Sequence, residues 1–84
     1  MAKKIIAGNW KQNGTLKSSI SLTKSIISVL KNSKCKHEII ILPPSIYLHT
    51  IQSLITKRIK IGSQNVSAYD NGAFTGEISA TMLR

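Results

Sequence analysis

Three short runs of apolar residues, separated by stretches with helical spacing, restrict the folds that this chain can adopt. The runs begin at about residues 4, 37 and 59, which is close to the roughly 30 residues of a strand–helix–strand unit. The second run, Ile39-Ile40-Ile41-Leu42, is apolar without alternation, as is typical of a strand covered on both faces. The pattern predicts an α/β fold with a parallel sheet and right-handed crossovers.

The same pattern predicts three strands, two full helices and the start of a third helix. Thr15 is a plausible N-cap of the first helix, but we expect no capping box, because Ser18 stands where Glu or Gln is usual. Ser79 can cap the third helix. We also expect the first strand to be buried. The predicted bounds are 4–9, 37–42 and 59–64 for the strands, about 15–30 and 45–56 for the helices, and 65–78 for a long loop.

The charge of the chain is strongly basic, with 12 Lys and Arg against 3 Asp and Glu and a formal net charge of +9. Such a charge could attract nucleic acid, a membrane surface or an anionic substrate. The basic residues are spread over most of the chain, and the aromatic residues do not interleave with them as a base-stacking surface requires. We therefore favour solvated lysine faces, and a basic nucleic-acid-binding module is the weaker alternative.

The single cysteine and the lengths of the apolar runs indicate the cellular compartment of the protein. Cys35 has no partner for an internal disulfide, which fits a reducing cytoplasm. It is either a free thiol at a helix-to-strand junction or a thiolate stabilised by the neighbouring Lys34, Lys36 and His37. No run reaches the roughly 20 apolar residues of a membrane span, and the run after residue 4 is too short for a signal peptide. We expect a cytoplasmic protein that binds neither membrane nor nucleic acid.

The stretch from Gly8 to Gly14 follows the apolar run Ile5-Ile6-Ala7 and contains the turn at the end of the first strand, and its polar residues are candidates for a site. In parallel α/β folds, sites lie at the carboxyl ends of the strands. Lys11 would place a fixed cation there for a substrate phosphate, and Asn9 would supply an amide. Trp10 could stack on a ligand, although packing that anchors the turn is the simpler interpretation. Two further pairs fall at the same edge, Pro43-Pro44 and Gln64-Asn65, and we expect the second pair to form loop hydrogen bonds.

Three blocks of sequence occur in order along the chain, at the end of the first strand, at the end of the third strand, and over the long loop with the start of the third helix. They are Gly8-Asn9-Trp10-Lys11-x-Asn13-Gly14, Gly62-Ser63-Gln64-Asn65-Val66-Ser67 and Gly72-Ala73-Phe74-Thr75-Gly76-Glu77-Ile78-Ser79-Ala80-x-Met82-Leu83. Together they resemble the triosephosphate isomerase family, with Gln12 where that family usually has Met. The resemblance implies that residues 1–84 are the N-terminal portion of a single TIM (β/α)8 barrel domain, a fold that typically takes about 250 residues.

The resemblance also implies a function. The family interconverts dihydroxyacetone phosphate and D-glyceraldehyde 3-phosphate through an enediol, in glycolysis and gluconeogenesis, without a cofactor or a metal. It implies that Asn9 and Lys11 bind the substrate and that Lys11 acts catalytically through electrostatic stabilisation. A homodimer is implied as well, in which Phe74, Thr75 and Glu77 lie at the interface and Thr75 approaches the substrate-binding residues of the other subunit.

The family's catalytic pair, a Glu base and a neutral His, has no counterpart in this chain, because both follow later strands. His37 opens the second strand at the wrong end, His49 lies on the second helix facing solvent, and Glu38 and Glu77 match no catalytic position. We therefore expect the 84-residue chain alone to be marginally stable and inactive. Two interpretations stay open: the N-terminal third of an isomerase, or a truncated, non-catalytic remnant that at most associates with other chains.

Overall fold

The computed structural model describes residues 3–84 and contains the predicted elements in the predicted order. β3 ends at Ile61, three residues earlier than expected, and the second helix begins as a 3-10 turn over Ser45–Tyr47. None of the helices within residues 3–84 has the length and apolar character needed to cross a membrane. The elements are β1 Ile5–Asn9, α1 Leu16–Lys31, β2 Glu38–Leu42, α2 Leu48–Leu54, β3 Ile59–Ile61 and α3 Ala80–Leu83.

The sheet is parallel, has three strands and follows the order β1-β2-β3, so the prediction of a parallel α/β fold is confirmed. β1 pairs with β2 from Ile5 opposite Glu38 to Asn9 opposite Leu42. β2 pairs with β3 over three positions that end with Ile41 opposite Ile61. Because all three strands run in the same direction, their carboxyl ends meet at one edge of the sheet, where the polar turn after β1 begins.

The core lies on the side of the sheet that the helices cover. Its centre consists of Ile41 on β2, Ile51 on α2 and Ile59 on β3, all almost fully buried. A ring of half-buried residues packs against this centre, namely Trp10, Ile20, Ile26, Ile27, Leu30, Ile39, Tyr47, Leu54, Ile55 and Ile61. Trp10 therefore contacts the core, as expected for a side chain that anchors the turn.

The prediction that β1 is buried is wrong for this chain. Ile5 is 65% exposed and Ile6 is 49% exposed, because β1 packs mainly against β2 and the helices leave its faces uncovered. β2 also differs from the prediction of coverage on both faces, since only Ile41 is buried and the rest of the strand is half-buried.

The exposed surface area and the radius of gyration of the molecule reflect the uncovered faces of its sheet and helices. The chain exposes 6740 Å², whereas a compact monomer of its mass exposes roughly 4,900 Å². Its radius of gyration is 14.3 Å, against about 12 Å for a compact domain of this length. Apolar positions of the sheet and helices are thus left facing solvent.

The N-terminus of α1 corrects a second prediction. The Ser18 backbone amide donates to Thr15 Oγ1 (3.1 Å), and the Thr15 amide donates to Ser18 Oγ (2.8 Å). This is a reciprocal capping box, so our expectation that none forms is wrong: the Ser18 hydroxyl accepts the bond that Glu or Gln usually accepts. The predicted cap of α3 is confirmed, because the Met82 amide donates to Ser79 Oγ at 3.2 Å.

Candidate functional site

The turn after β1 carries the unusual backbone of this molecule. Lys11 has φ of 55° and is the one non-glycine residue with positive φ among those the structure describes. L-residues avoid this left-handed region, because the Cβ atom meets the neighbouring carbonyl. Such a conformation costs about 1–3 kcal/mol and persists only where the surroundings enforce it. The structure thus holds a lysine in a strained conformation at the carboxyl edge of the sheet.

Two asparagines, one at the end of β1 and one in the turn, fix the peptide group that precedes this lysine. The side-chain oxygen of Asn9 accepts a hydrogen bond from the Lys11 amide at 2.8 Å, and Asn13 Nδ2 donates to the Trp10 carbonyl at 3.0 Å. Both bonds act on the peptide group that joins Trp10 to Lys11. An Asn that bonds the backbone two residues further on is a common device for tight turns.

The neighbouring strands hold the same turn through long-range hydrogen bonds. The Trp10 amide donates to the Leu42 carbonyl at the end of β2 (3.1 Å). Gln64, which follows β3, donates through Nε2 to the carbonyls of Lys11 (2.9 Å) and Leu42 (2.8 Å). Gln64 is thus a loop hydrogen bonder, as expected. The sequence placed it at the same edge as Lys11 but did not indicate the bond between them, which joins residues 53 positions apart.

Lys11 presents an exposed ammonium group at this edge. Among residues 3–84 a single salt bridge forms, and it joins Lys60 to Glu38 rather than involving Lys11. Glu38 begins β2 at the opposite edge of the sheet. The Lys60 ammonium beside it donates a hydrogen bond and holds the pKa of the Glu38 carboxyl below its ordinary value. The cation of Lys11 therefore has no carboxylate partner in the described part of the chain and is available to an anionic ligand.

The histidines and the cysteine lie away from this turn. His37 Nδ1 accepts a hydrogen bond from the Lys4 amide (3.1 Å) at the amino edge of the sheet, and His49 is exposed on α2. Cys35 is a half-buried free thiol whose carbonyl accepts a hydrogen bond from the Arg58 guanidinium. Within residues 3–84, no group of three His, Cys, Asp or Glu side chains is placed to hold a metal ion.

The long loop between β3 and α3 closes on itself. The Ser67 amide donates to the Ile78 carbonyl (2.8 Å) at its base, and the rings of Tyr69 and Phe74 stack with centroids 4.9 Å apart and planes at 14°. Phe74 nevertheless stays 52% exposed. The residues expected at an interface, Phe74, Thr75 and Glu77, all lie on the exposed part of this loop.

Comparison with known proteins agrees with this arrangement of elements. The family model described as "Triosephosphate isomerase" matches residues 4–84. The triosephosphate isomerase of Francisella philomiragia is 44% identical over 81 residues, which are 96% of this chain and 32% of that protein. Those of Bacteroides fragilis and Legionella pneumophila are each 40% identical, over 99% and 100% of this chain and 34% of each relative. The chain thus spans about a third of the length of these curated relatives.

Proposed function

Because the chain belongs to the triosephosphate isomerase family, which matches it over residues 4–84, we propose that Asn9 and Lys11 bind the substrate in an isomerase site. The substrates are the triose phosphates dihydroxyacetone phosphate and D-glyceraldehyde 3-phosphate. Residues 1–84 form the N-terminal portion of a (β/α)8 barrel domain, and the remainder of the family's sequence completes the site. The reaction belongs to glycolysis and gluconeogenesis and takes place in the cytoplasm.

The observation that carries this proposal is the exposed, carboxylate-free ammonium group of Lys11 at the carboxyl edge of a parallel sheet. Isomerisation moves one proton between adjacent carbons and another between their oxygens, so that negative charge develops on an oxygen as the enediol forms. A cation about 4 Å from that charge contributes about 4 kcal/mol at an effective dielectric constant near 20. Lys11 provides this electrostatic stabilisation and attracts the substrate phosphate.

Proton transfer needs a base and an acid, which we assign to the part of the family's sequence that follows residue 84. The carboxylates of this chain are unsuited to the task, since Glu38 lies at the other edge of the sheet beside Lys60. Asp70 and Glu77 belong to the loop after β3 and lie outside the turn. The 84-residue chain alone is therefore inactive in this proposal.

The loop after β3 supports a homodimer as the working form. An aromatic side chain that is 52% exposed, as Phe74 is, gains from burial against a partner, as aromatic residues commonly do in interfaces. We propose that Phe74, Thr75 and Glu77 contact a second subunit, where Thr75 supports the substrate-binding turn.

A second candidate function is a non-catalytic association module. It is favoured by the exposed edge and face of β1, where Ile5 and Ile6 face solvent. Such surfaces pair readily with another chain. This candidate predicts association with barrel segments but no turnover in any assembly.

The test is a chimera in which residues 1–84 replace the corresponding segment of the Francisella philomiragia relative. We expect the chimera to isomerise triose phosphates and the 84-residue chain alone to show no turnover. Lys11→Ala should lower kcat/KM of the chimera by about a thousandfold, the equivalent of about 4 kcal/mol. Lys17→Ala, which removes an exposed lysine at the start of α1, should leave it unchanged. A folded chimera without turnover, or one indifferent to Lys11→Ala, contradicts the proposal.

A further inference from the structure

We propose that Gln64 is a positioning residue that holds Lys11 in its left-handed conformation and thereby keeps the lysine ammonium in the site. The kinetic consequence of this inference rests on the proposed isomerase function, whereas its conformational part stands on the hydrogen bonds alone. Gln64 touches no substrate in this proposal, and it acts entirely through the backbone of Lys11.

The conformation of Lys11 is set by the two peptide groups on either side of its Cα atom. The preceding group, between Trp10 and Lys11, is held by Asn9 at the end of β1 and by Asn13 in the turn. The following group, between Lys11 and Gln12, contains the Lys11 carbonyl, and Gln64 Nε2 donates to that carbonyl at 2.9 Å. In the described part of the chain, this is the only side-chain hydrogen bond to that peptide group.

The geometry of a carboxamide suits this task. Its NH₂ group carries two hydrogens, and Gln64 directs them to two carbonyls that belong to different segments, Lys11 in the turn and Leu42 at the end of β2. The Leu42 carbonyl also accepts from the Trp10 amide at 3.1 Å. The bond to Leu42 therefore ties the side chain of Gln64 to the rigid end of the sheet, and the bond to Lys11 transmits that position to the turn.

Without the hydrogen bond from Gln64, the peptide group between Lys11 and Gln12 can rotate. A non-glycine residue then relaxes toward negative φ, which the backbone prefers. Because the side chain leaves from the same Cα atom, such a rotation swings the ammonium group away from its place at the sheet edge. Small displacements of a positioning group are sufficient to lower the rate of a reaction strongly.

The experiment uses the chimera with Gln64→Met, a straight side chain of similar length that lacks both donors. Gln64 is exposed, so this change creates no cavity. Gln64→Ala is a second variant that removes both donors, for use if the Met side chain packs badly. Gln52→Met, on the exposed side of α2, is the matched control. The readouts are kcat, KM, competitive inhibition by inorganic phosphate, the thermal midpoint, and the φ angle of Lys11 in a crystal structure of each variant.

We expect Gln64→Met to raise KM and the inhibition constant of phosphate by about tenfold or more and to move Lys11 to negative φ. The Gln52→Met control should match the parent in all readouts. A variant that lowers only the thermal midpoint, with KM, phosphate inhibition and the φ of Lys11 unchanged, overturns the positioning role. If the parent chimera folds but has no turnover, the isomerase proposal fails, and the φ of Lys11 alone then decides the role of Gln64.

Discussion

The side-chain oxygen of Asn9 lies 2.8 Å from the backbone nitrogen of Lys11 and accepts its hydrogen bond. The oxygen of this carboxamide is therefore committed to the shape of the turn, and its NH₂ group is the part left to donate to a ligand. Asn9 can thus serve two purposes, because its oxygen fixes the peptide group that precedes the strained Lys11 and its NH₂ group can donate to a substrate oxygen.

These two purposes separate in substitutions of Asn9. Asn9→Asp keeps an oxygen for the Lys11 amide but replaces the NH₂ donor by a carboxylate that repels an anionic substrate. We expect this chimera variant to retain the thermal midpoint of the parent and to lose about a hundredfold in kcat/KM, as when a single oriented donor is removed. Gln52→Glu, which adds the same charge on the exposed side of α2, is the control.

Asn9→Ala removes both the acceptor and the donor. It should lower kcat/KM at least as far as Asn9→Asp, and it should also lower the thermal midpoint, because the Lys11 amide loses its partner. Equal activity of the Asp variant and the parent, measured at saturating and limiting substrate, would exclude the donor role of Asn9.

The capping box of α1 predicts a measurable loss of stability. Thr15→Ala removes the acceptor for the Ser18 amide, and we expect the free energy of unfolding of the chimera to fall by about 1 kcal/mol in urea titrations. Ser21→Ala, at an exposed position inside the same helix, should be neutral or slightly stabilising, because Ala is the better helix former. A Thr15→Ala variant as stable as the Ser21→Ala variant would refute the capping role.

The ion pair of Glu38 and Lys60 predicts a pH dependence with a definite sign. Its hydrogen bond and charge lower the pKa of Glu38 from its ordinary value of 4.5. A carboxyl group with a lowered pKa in the folded state adds stability above its unfolded pKa. That stability is lost as the pH falls from about 4.5 through the lowered value. Between pH 5 and pH 3, the thermal midpoint of the parent chimera should therefore fall more than that of Glu38→Gln.

The effect of this pair should be small and sensitive to salt, since both side chains are accessible to solvent and surface pairs contribute little. The difference between parent and Glu38→Gln should shrink when the ionic strength is raised from 0.01 M to 1 M. Parallel pH profiles of the two proteins at low ionic strength would show that the pair adds nothing.

Periodicity was sufficient to predict the parallel sheet and the edge where Asn9 and Lys11 meet, since that edge follows from strand direction alone. The contact between Gln64 and Lys11 was not predictable, because it depends on strand register and on a backbone conformation that leaves no trace in composition. The exposure of Ile5 was missed for another reason. An apolar β-branched run indicates that a strand is suited to burial, but coverage depends on elements elsewhere in the fold.

The loop after β3 gives the last prediction, which rests on two glycines. Both have positive φ, 145° at Gly72 and 80° at Gly76, so alanine is strained at either position. They differ in their surroundings. A Cβ atom on Gly72 would lie 2.7 Å from Cε2 of the Phe74 ring, whereas a Cβ atom on Gly76 would have no heavy atom within 4 Å.

Gly72→Ala should therefore displace the Phe74 ring from its stack on Tyr69, while Gly76→Ala introduces backbone strain alone. An aromatic stack contributes about 0.5–1.5 kcal/mol, so loss of an ordered Phe74 should weaken homodimerisation of the chimera by up to about tenfold in Kd. Analytical ultracentrifugation of both variants measures this difference. Equal dissociation constants for the two variants would mean that the orientation of the Phe74 ring does not contribute to the interface, because strain alone would then explain both.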